Sequence, residues 1–414
     1  MYKILYTIGI KLYYLLVLVA SLFNKKAKLW INGRKNVFAD LENFELKSTT
    51  NIWFHVSSLG EFEQARPLIE KIKQKHKDYR IILTFFSPSG FEIQKNYKFA
   101  DVISYLPIDS RKNAKKFISL LNPKMTFFVK YDFWFYYLKE LKRNKINTFL
   151  VSGIFLKNQM FFKSIGKWYA DMLRLFTKFF VQNKESLDLL NSINIDNVLI
   201  AGDTRFDRVI EIAESLSENQ VVEDFVGDKK CIIAGSTWFQ DEQLLSQYIN
   251  NSDNIKFIIA PHEIHENHII NLLQIINRPV IRYSRAEGTD LKDYQVMIID
   301  NMGMLASIYK YGDVAYIGGG FGAGIHNIVE AAVYGMPIVF GTEYSKFKEA
   351  KDMIELKSAF SISDFNELKV NFDLFISDEN YLETVSEKAK DYVMKNKGAS
   401  DIILNEVMSD YMHL

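Results

Sequence analysis

Cysteine is nearly absent from this sequence, because Cys231 is the only one among 414 residues. A single cysteine excludes an internal disulfide and a cysteine-rich metal site, which suits the cytoplasm. The zinc motif HExxH is missing too. His262, His265 and His268 are the only closely spaced histidines, and this short pattern is a weak metal signal, so we expect no bound metal.

The sequence also lacks an excess of charge of either sign, since it has 51 lysines and arginines and 50 acidic residues, for a net charge of +1. The overall basic field that nucleic-acid-binding proteins usually carry is therefore lacking, and we expect no nucleic acid partner. No proline-rich linker or convincing internal repeat occurs. With 48% hydrophobic and 24% charged residues, the chain is long enough for two ordinary globular domains.

Hydrophobic residues are abundant at the start of the chain. Residues 4–23, ILYTIGIKLYYLLVLVASLF, contain one charged side chain, Lys11, and three lysines follow shortly after. About 20 apolar residues suffice to span a bilayer, but a lysine near mid-depth is costly there. We therefore predict a membrane anchor helix over residues 1–23 that lies shallowly at an anionic membrane surface. A cleaved signal peptide and a buried core helix are the alternatives.

From residue 51 onward, short β-rich runs alternate with amphipathic helical patterns, which predicts α/β domains with parallel sheets. The predicted strands of the first series are 50–55, 79–86, 124–129, 148–152, 179–182 and 198–201. Those of the second series are 231–234, 255–260, 280–283, 296–299, 314–317 and 337–340. We predict two Rossmann-like domains, 24–205 and 206–414, that face each other across a cleft. The last helix is a candidate to return to the N-terminal domain.

The segment 313–341, DVAYIGGGFGAGIHNIVEAAVYGMPIVFG, predicts a strand, a glycine loop and a helix that begins near His326. Glycines let a ligand approach the backbone closely, and a helix start offers unpaired N–H groups. These features predict a phosphate site, with Glu330 in reach of ribose hydroxyls. A plain tight turn and an ordinary Asn327 helix cap are the alternatives. The spacing matches neither GxGxxG nor a P-loop.

A second candidate site follows the first predicted strand, in residues 53–61, WFHVSSLGE. The strand ends at His55, small residues form a turn, and Glu61 opens a predicted helix over residues 61–76. A carboxylate at the carboxyl end of a strand is well placed for acid–base chemistry. The alternative is a first-turn acid that satisfies the helix dipole, an arrangement that stabilises by a few tenths to about 1 kcal/mol.

Several segments, in one order, resemble motifs of the 3-deoxy-D-manno-octulosonic acid (Kdo) transferases. Residues 55–61 are similar to the family's H-A-A-S-x-G-E, and residues 324–330, GIHNIVE, to G-G-H-N-x-x-E. The other matching segments are LPID at 106–109, GDTRFD at 202–207, GST at 235–237, DNMGML at 300–305 and GG at 318–319. The resemblance covers nearly the whole chain.

This resemblance implies a membrane-associated, metal-independent, inverting glycosyltransferase of GT-B fold. It would transfer Kdo from CMP-Kdo to a lipid A precursor at the cytoplasmic face of the bacterial inner membrane, with no cofactor. Glu61 would be the general base and Asp132 a second catalytic acid. The implied donor site comprises Ser236, Thr237, Met302, Gly303, Gly318, Gly319, His326, Asn327 and Glu330. The implied acceptor site comprises Ser57, Ser58, Gly60 and Asp109. The oligomeric state stays open.

The chain also departs from the family pattern. The family's P-R-H is PHE at residues 261–263, so Arg205 and Arg282 are candidates to replace the lost arginine. Lys130 stands at the first acid of E-x-E-L-W, and Met304 replaces another acid. We interpret these changes as a divergent branch. The alternatives are a GT-B transferase with a UDP-sugar donor, a GT-B-like epimerase and an inactive membrane-bound sugar-nucleotide binding protein.

Overall fold

The computed structural model of the protein describes residues 2–44, 46, 49–163, 166–215 and 218–411. The chain divides into two compact units. The first comprises Met1–Arg208 together with Lys397–Leu414, and the second comprises Val209–Asn396. Met1, at the start of the predicted anchor, lies outside the described residues, as do residues 412–414.

The first unit is built on a seven-stranded sheet in which all described strand pairs are parallel. Its strands are β1 Asn51–Val56, β2 Arg80–Phe85, β3 Val102–Tyr105, β4 Pro123–Val129, β5 Asn147–Gly153, β6 Lys178–Val181 and β7 Val198–Ile200. Their order across the sheet is β3-β2-β1-β4-β5-β6-β7. The chain therefore adds strands from β1 to the β3 edge, then returns to the other side of β1 and adds β4 to β7 toward the opposite edge. The strand order reverses between β1 and β4.

Helices cover both faces of this sheet, so its central strands are buried and rich in apolar residues. Every residue of β1 is buried. Trp53 packs in the core on one face and its neighbour Phe54 in the core on the other. The helices are α1 Tyr2–Ala20, α2 Lys25–Asn32, α3 Val37–Glu42, α4 Leu59–Lys75, α5 Pro88–Gln94, α6 Arg111–Leu121, α7 Phe135–Arg143, α8 Lys167–Leu173, α9 Lys184–Asn191 and α10 Thr204–Ser215.

The second unit has a seven-stranded sheet of the same kind, again with parallel pairs. Its strands are β8 Lys230–Thr237, β9 Ile255–Pro261, β10 Val280–Arg282, β11 Val296–Ile298, β12 Val314–Ile317, β13 Ile338–Phe340 and β14 Ala359–Ser361. Their order is β10-β11-β9-β8-β12-β13-β14, so the direction reverses between β8 and β12. The helices are α11 Gln220–Val226, α12 Phe239–Asn250, α13 Glu266–Ile275, α14 Leu305–Ile308, α15 Val329–Ala332, α16 Lys348–Glu355, α17 Phe365–Ser377 and α18 Glu379–Lys395.

The parallel α/β architecture predicted from the alternation of strands and helices is confirmed. Two strands were not predicted, β3 and β14, which are only four and three residues long and lie at sheet edges. The prediction that a helix begins near His326 is wrong. Residues 324–327 have no regular structure, and α15 begins at Val329.

The last helix, α19 Ala399–Tyr411, belongs to the first unit. Its apolar face places Ile403, Leu404 and Val407 in the core on one face of the first sheet. Asp207 fixes the start of this helix, because its carboxylate accepts hydrogen bonds from the backbone N–H groups of Gly398 at 2.5 Å and Ser400 at 2.6 Å. The motif at residues 202–207 thus ends in a helix cap.

Helix α1 is the one helix, among the residues that the structure describes, that is long and apolar enough to cross a membrane. None of its residues is buried, so the alternative of a buried core helix is wrong. The helix nevertheless contacts the rest of the first unit through polar groups. Tyr6 donates a hydrogen bond to Asp109 at 2.5 Å, and Thr7 shares one with Tyr136 at 2.6 Å.

We predict that Asp207→Ala destabilises the first unit by about 1–3 kcal/mol, because two N–H groups lose a charged acceptor at a helix start. Urea unfolding should show this loss, and proteolysis near residues 396–398 should become faster. Asp196→Ala removes an exposed carboxylate of the same unit and serves as the control. Equal stability of the two variants would contradict the capping role.

Candidate active site

Both predicted sites lie where the strand order of a sheet reverses. In the first sheet, Glu61 follows β1 in the first turn of α4, and Asp132 lies in the loop after β4. In the second sheet, residues 236–237 end β8, and residues 318–319 lie in the loop after β12. At such a reversal the neighbouring loops leave the sheet in opposite directions, and ligands of open α/β sheets bind in the crevice at the carboxyl ends of the strands.

Glu61 lies in the first turn of α4, directly after the turn that follows β1. Ser58 is the N-cap residue, and its hydroxyl donates a hydrogen bond to the Glu61 carboxylate. In the described part of the chain, this hydroxyl is the only hydrogen-bond donor to Glu61. An acid that caps its own helix would accept from the backbone N–H of the N-cap residue. Glu61 is held by a side chain instead, and Gly60 beside it is exposed.

Asp132 lies beside Ser57 at the end of β4 and is buried. Its Oδ1 atom accepts a hydrogen bond from Ser57 Oγ at 2.5 Å. Its Oδ2 atom is buried and has no hydrogen-bond partner among the described residues. Burial, together with the negative charge of Glu61, raises the pKa of Asp132 to about 8, although the Ser57 hydrogen bond opposes the shift. Asp132 is therefore protonated at neutral pH, next to Glu61.

His55 forms the buried floor of this site. Trp134 Nε1 donates to His55 Nε2 at 3.0 Å, so the ring proton is assigned to Nδ1, which donates to Thr84 Oγ1 at 2.8 Å. Burial lowers the pKa of His55 to about 3. The 3.7 Å approach of its Nε2 to Asp132 Oδ2 is thus a contact between two neutral groups. His55 orders the site and carries no charge.

The carboxylate of Asp109 is not free to bind a ligand, because groups of the protein already occupy it. Its carboxylate is buried and accepts hydrogen bonds from Tyr6 and from the backbone N–H groups of Tyr136 and Tyr137 at 3.0 and 3.2 Å. These bonds cap the first turn of α7 and tie α1 to the unit. We therefore leave Asp109 out of the candidate acceptor site and retain Ser57, Ser58 and Gly60.

The glycine loop of the second unit packs tightly against the end of β8. The N–H of Gly318 donates to the carbonyl of Gly235 at 2.9 Å, and that of Gly319 to Asp241 Oδ2 at 2.9 Å. A Cβ atom at Gly318 would lie 2.2 Å from the carbonyl oxygen of Ser236. Close packing of two loops therefore requires this glycine, and the amides of Gly318 and Gly319 already have acceptors inside the protein.

Asp241 organises this edge of the second sheet, although its role was not predicted. Its buried carboxylate accepts from the backbone N–H of Trp238 at 2.9 Å, from Tyr316 Oη at 2.7 Å and from Gly319. Burial raises the pKa of Asp241, whereas these hydrogen bonds oppose the shift. The sequence gives no capping-box signal for it, because the N-cap residue is Trp238 and not the serine or threonine of that motif.

Ser236 and Thr237 are the last two residues of β8, and their environments differ. Ser236 has a φ of 54°, a left-handed conformation that non-glycine residues adopt mainly where the surroundings impose it. The Thr237 hydroxyl is buried and donates to Glu242 Oε1 at 2.9 Å. Glu242 also contacts His268 Nε2 at 2.9 Å. The Thr237 hydroxyl is therefore occupied in the protein, and Ser236 is the partly exposed residue of the pair.

His326 belongs to a group of three rings at the ends of β8, β9 and β12. The ring of His262 stacks on Trp238 and on His326, each with centroids 4.5 Å apart. Trp238 Nε1 donates to His326 Nε2 at 3.2 Å. Burial and the neighbouring His262 lower the pKa of His326 to about 4, so its ring is neutral at pH 7. The histidine that replaces the family arginine is thus part of an aromatic cluster.

Asn327 and Glu330 contact each other just before and within α15. Asn327 Nδ2 donates to Glu330 Oε1 at 2.8 Å, and Asn327 Oδ1 accepts from the N–H of Val329 at 3.3 Å. Asn327 therefore does serve as a local cap. Among the described residues, the backbone N–H groups of Asn327 and Ile328 have no acceptor, and they lie beside the half-buried Glu330 carboxylate.

Met302 and Gly303 lie in an exposed loop after β11, two strands away from β8. Met302 is 77% exposed, and no other residue lies within 4 Å of the position that a Gly303 Cβ would take.

The two candidate replacements for the family arginine are both paired with carboxylates. Arg205 binds Asp203 at 2.7 Å, and Arg282 binds Glu266 through two 2.9 Å hydrogen bonds.

Residues 32–208 match the family model described as 3-Deoxy-D-manno-octulosonic-acid transferase (kdotransferase). A transferase of that name from Rickettsia felis is 26% identical over 375 residues, which cover 86% of this chain and 78% of that protein. One from Aquifex aeolicus is 24% identical and covers 82% of this chain and 90% of its own length. A bifunctional glycosyltransferase/methyltransferase from Fusobacterium nucleatum is 24% identical, and the chain spans 60% of its length.

Solved structures share the fold at low sequence identity. A UDP-GlcNAc 2-epimerase from Neisseria meningitidis, bound to UDP-GlcNAc, has a TM-score of 0.64 and 15% identity, with coverage of 87% of this chain and all of that one. A glycosyltransferase from Rickettsia africae has a TM-score of 0.56 and 14% identity, with coverage of 88% and 98%. Two parallel sheets and these neighbours identify the GT-B fold. The resemblance that the motifs indicate is confirmed by the family model and the similar transferases: residues 32–208 carry a domain that matches the 3-deoxy-D-manno-octulosonic-acid transferase model.

Proposed function

We propose that the protein is an inverting, metal-independent glycosyltransferase that transfers Kdo from CMP-Kdo to a lipid A precursor. One observation carries this proposal. The motif residues that resemble the family's base and donor site lie at the strand-order reversals of two separate GT-B sheets. The similarity to Kdo transferases extends over both units, which supports the same donor and acceptor.

The acceptor side of the reaction needs a base, because a sugar hydroxyl is a poor nucleophile at neutral pH. In our proposal Glu61 accepts the proton of the acceptor hydroxyl while the hydroxyl oxygen forms a bond to the anomeric carbon of Kdo. Ser58 orients the Glu61 carboxylate through its hydrogen bond. Asp132 is a neutral neighbour, so it does not repel the negative charge of Glu61 as a second carboxylate would.

The donor side must stabilise CMP, which leaves with the electron pair of the broken C–O bond. In our proposal the free N–H groups of Asn327 and Ile328 bind the phosphate, as preorganised donors do at developing negative charge. Glu330 binds ribose hydroxyls, and Ser236 lines the same edge. The aromatic group of Trp238, His262 and His326 takes the place of the family arginine, and its rings offer stacking contacts.

The acceptor would be an amphiphile, and helix α1 supports its use at a membrane. The helix is apolar and unburied while Tyr6 and Thr7 hold it to the first unit. We infer that the first unit works at the cytoplasmic face of the bacterial inner membrane, where a lipid A precursor is available to it.

A UDP-sugar donor is the competing proposal, since epimerase and glycosyltransferase structures share this fold. Fold likeness at 14–15% identity carries no information on the donor. Incubation of the full chain with CMP-Kdo and a tetraacylated lipid A precursor, followed by mass analysis of the product, tests the proposal. Addition of Kdo supports it. Binding of CMP-Kdo without any product would favour an inactive sugar-nucleotide binding protein.

Asp132→Asn should change how stability depends on pH. The folded pKa of Asp132, about 8, lies above the ordinary aspartate pKa of 3.8, so its protonated form stabilises the fold at low pH. That contribution is fully present below about pH 4 and is lost as the pH rises through 8. Wild type should therefore lose stability relative to Asp132→Asn over this range in urea unfolding. Parallel pH profiles would contradict the shift, and Asp196→Asn is the control.

Glu330→Ala should weaken CMP binding by about 1–3 kcal/mol, the usual cost of losing a hydrogen bond to a charged group. Isothermal titration of the folded variant with CMP and, separately, with UMP measures this loss and the base preference. Glu343→Ala removes an exposed carboxylate from the loop after β13 at the same edge and should bind CMP normally. Unchanged CMP affinity in Glu330→Ala would remove Glu330 from the donor site.

Glu61→Gln should lower turnover by about two to four powers of ten while CMP-Kdo affinity stays nearly constant, because the amide keeps the shape but cannot take the proton. Glu63→Gln, two residues further along α4, is the matched control. The helix-dipole alternative predicts a small loss of stability with an almost normal rate. Turnover above about a tenth of wild type in Glu61→Gln would rule out the base assignment.

A further inference from the structure

A cavity of about 420 Å³ lies beside helix α1 in the first unit. Its wall includes Lys11 and Tyr14 from α1, and Arg34, Lys35 and Phe38 from the segment after α2. Lys11 is the lysine that makes α1 costly as a membrane-spanning helix. A charged residue within an apolar segment usually marks a functional position with a defined partner. In this protein the lysine lines a cavity with two further cations.

The charge of this cavity is not balanced by the protein. None of its lining residues is acidic. Within the described residues, Lys11 and Lys35 form no ion pair, and both side chains are exposed. Glu42 of the neighbouring helix α3 is paired with Lys116 at 2.8 Å. The cavity therefore presents three cationic side chains to whatever enters it.

Arg34 is the fixed element of the site. Its guanidinium group lies 3.8 Å from the centre of the Trp30 ring and donates to the backbone carbonyls of Trp30, Phe86 and Leu106 at 3.1, 2.6 and 2.9 Å. Carbonyl groups orient a guanidinium but do not neutralise it. Burial lowers the pKa of Arg34 to about 9, so it is still charged at neutral pH. It is a preorganised cation without a counter-ion.

We propose that this cavity binds the phosphate headgroup of an anionic membrane lipid. A phosphate matches the cations, because guanidinium and ammonium groups together bind its oxygens well. A lipid matches the location, because α1 supplies part of the wall and exposes Ile8, Leu12 and Leu15 along its length. Basic pockets beside membrane helices bind lipid headgroups in this way. The proposal does not depend on the proposed reaction.

The lipid chains would then lie along α1, and the headgroup would neutralise Lys11. This arrangement explains how a helix with a central lysine can rest in a membrane surface, since the lysine has an anionic partner there. The headgroup would also bridge α1 to Lys35 and to Arg34, which is fixed to the first sheet through the carbonyl of Phe86, the residue after β2.

The test uses the full-length protein in a nonionic detergent, titrated calorimetrically with dihexanoyl phosphatidylglycerol and with inorganic phosphate. Wild type should bind the short-chain lipid saturably, with one site per chain. Lys11→Gln combined with Lys35→Gln should weaken this binding by about tenfold or more, because two charged contacts are lost. Lys25→Gln combined with Lys28→Gln removes the same charge from α2 outside the cavity, and should change the affinity by less than about twofold.

Three results would overturn the proposal. The first is the lack of saturable lipid binding to wild type. The second is equal weakening by the two double variants, which would indicate diffuse attraction to basic residues. The third is binding of inorganic phosphate as tightly as the lipid, which would assign the cavity to a soluble anion. Equal melting temperatures of the two double variants show that the comparison reports binding and not folding.

Discussion

The structure depends on one topological constraint, which is that parallel strands are joined only by crossovers. Each sheet begins with a central strand, β1 or β8, and the chain first builds one side and then returns to build the other. The return leaves one pair of strands, β1–β4 or β8–β12, whose following loops diverge. Glu61, Asp132, Ser236 and the glycine loop lie at or just beyond the carboxyl ends of these four strands. The candidate site residues are concentrated there because of the backbone topology, and not because of any single side chain.

Sequence patterns predicted most of the fold because buried parallel strands are nearly continuous apolar runs. The edge strands β3 (VISY) and β14 (AFS) each contain a serine, so they do not form a continuous apolar run. Sequence patterns predicted the roles of individual residues in the candidate sites less well. The glycines at 318 and 319 indicated a phosphate loop, but Gly318 is small because Ser236 lies against it. Asp109 and Asp241 are both buried caps, and no local spacing distinguishes an acid that caps a distant segment from one that faces a ligand.

The candidate base site combines side chains in different charge states at close range. His55 is neutral because it is buried, and Asp132 is neutral for the same reason, since burial disfavours the charged form of both a base and an acid. Glu61 is the acidic group of this cluster that is partly exposed to solvent. The environment thus separates the roles of two carboxyl groups that the sequence alone presents as equivalent. At the candidate donor edge, stacked rings stand in the place of a family arginine.

The return of α19 to the first unit has a consequence for biosynthesis. The second unit is contiguous, so it can fold as soon as residue 396 has left the ribosome. The first unit is not, because Ile403, Leu404 and Val407 complete the core beneath Phe149 and Phe180. Although its seven strands emerge early, the part of this core that α19 covers stays exposed until the second unit has been translated. Exposed apolar surface of this kind is what makes partly folded chains prone to aggregate.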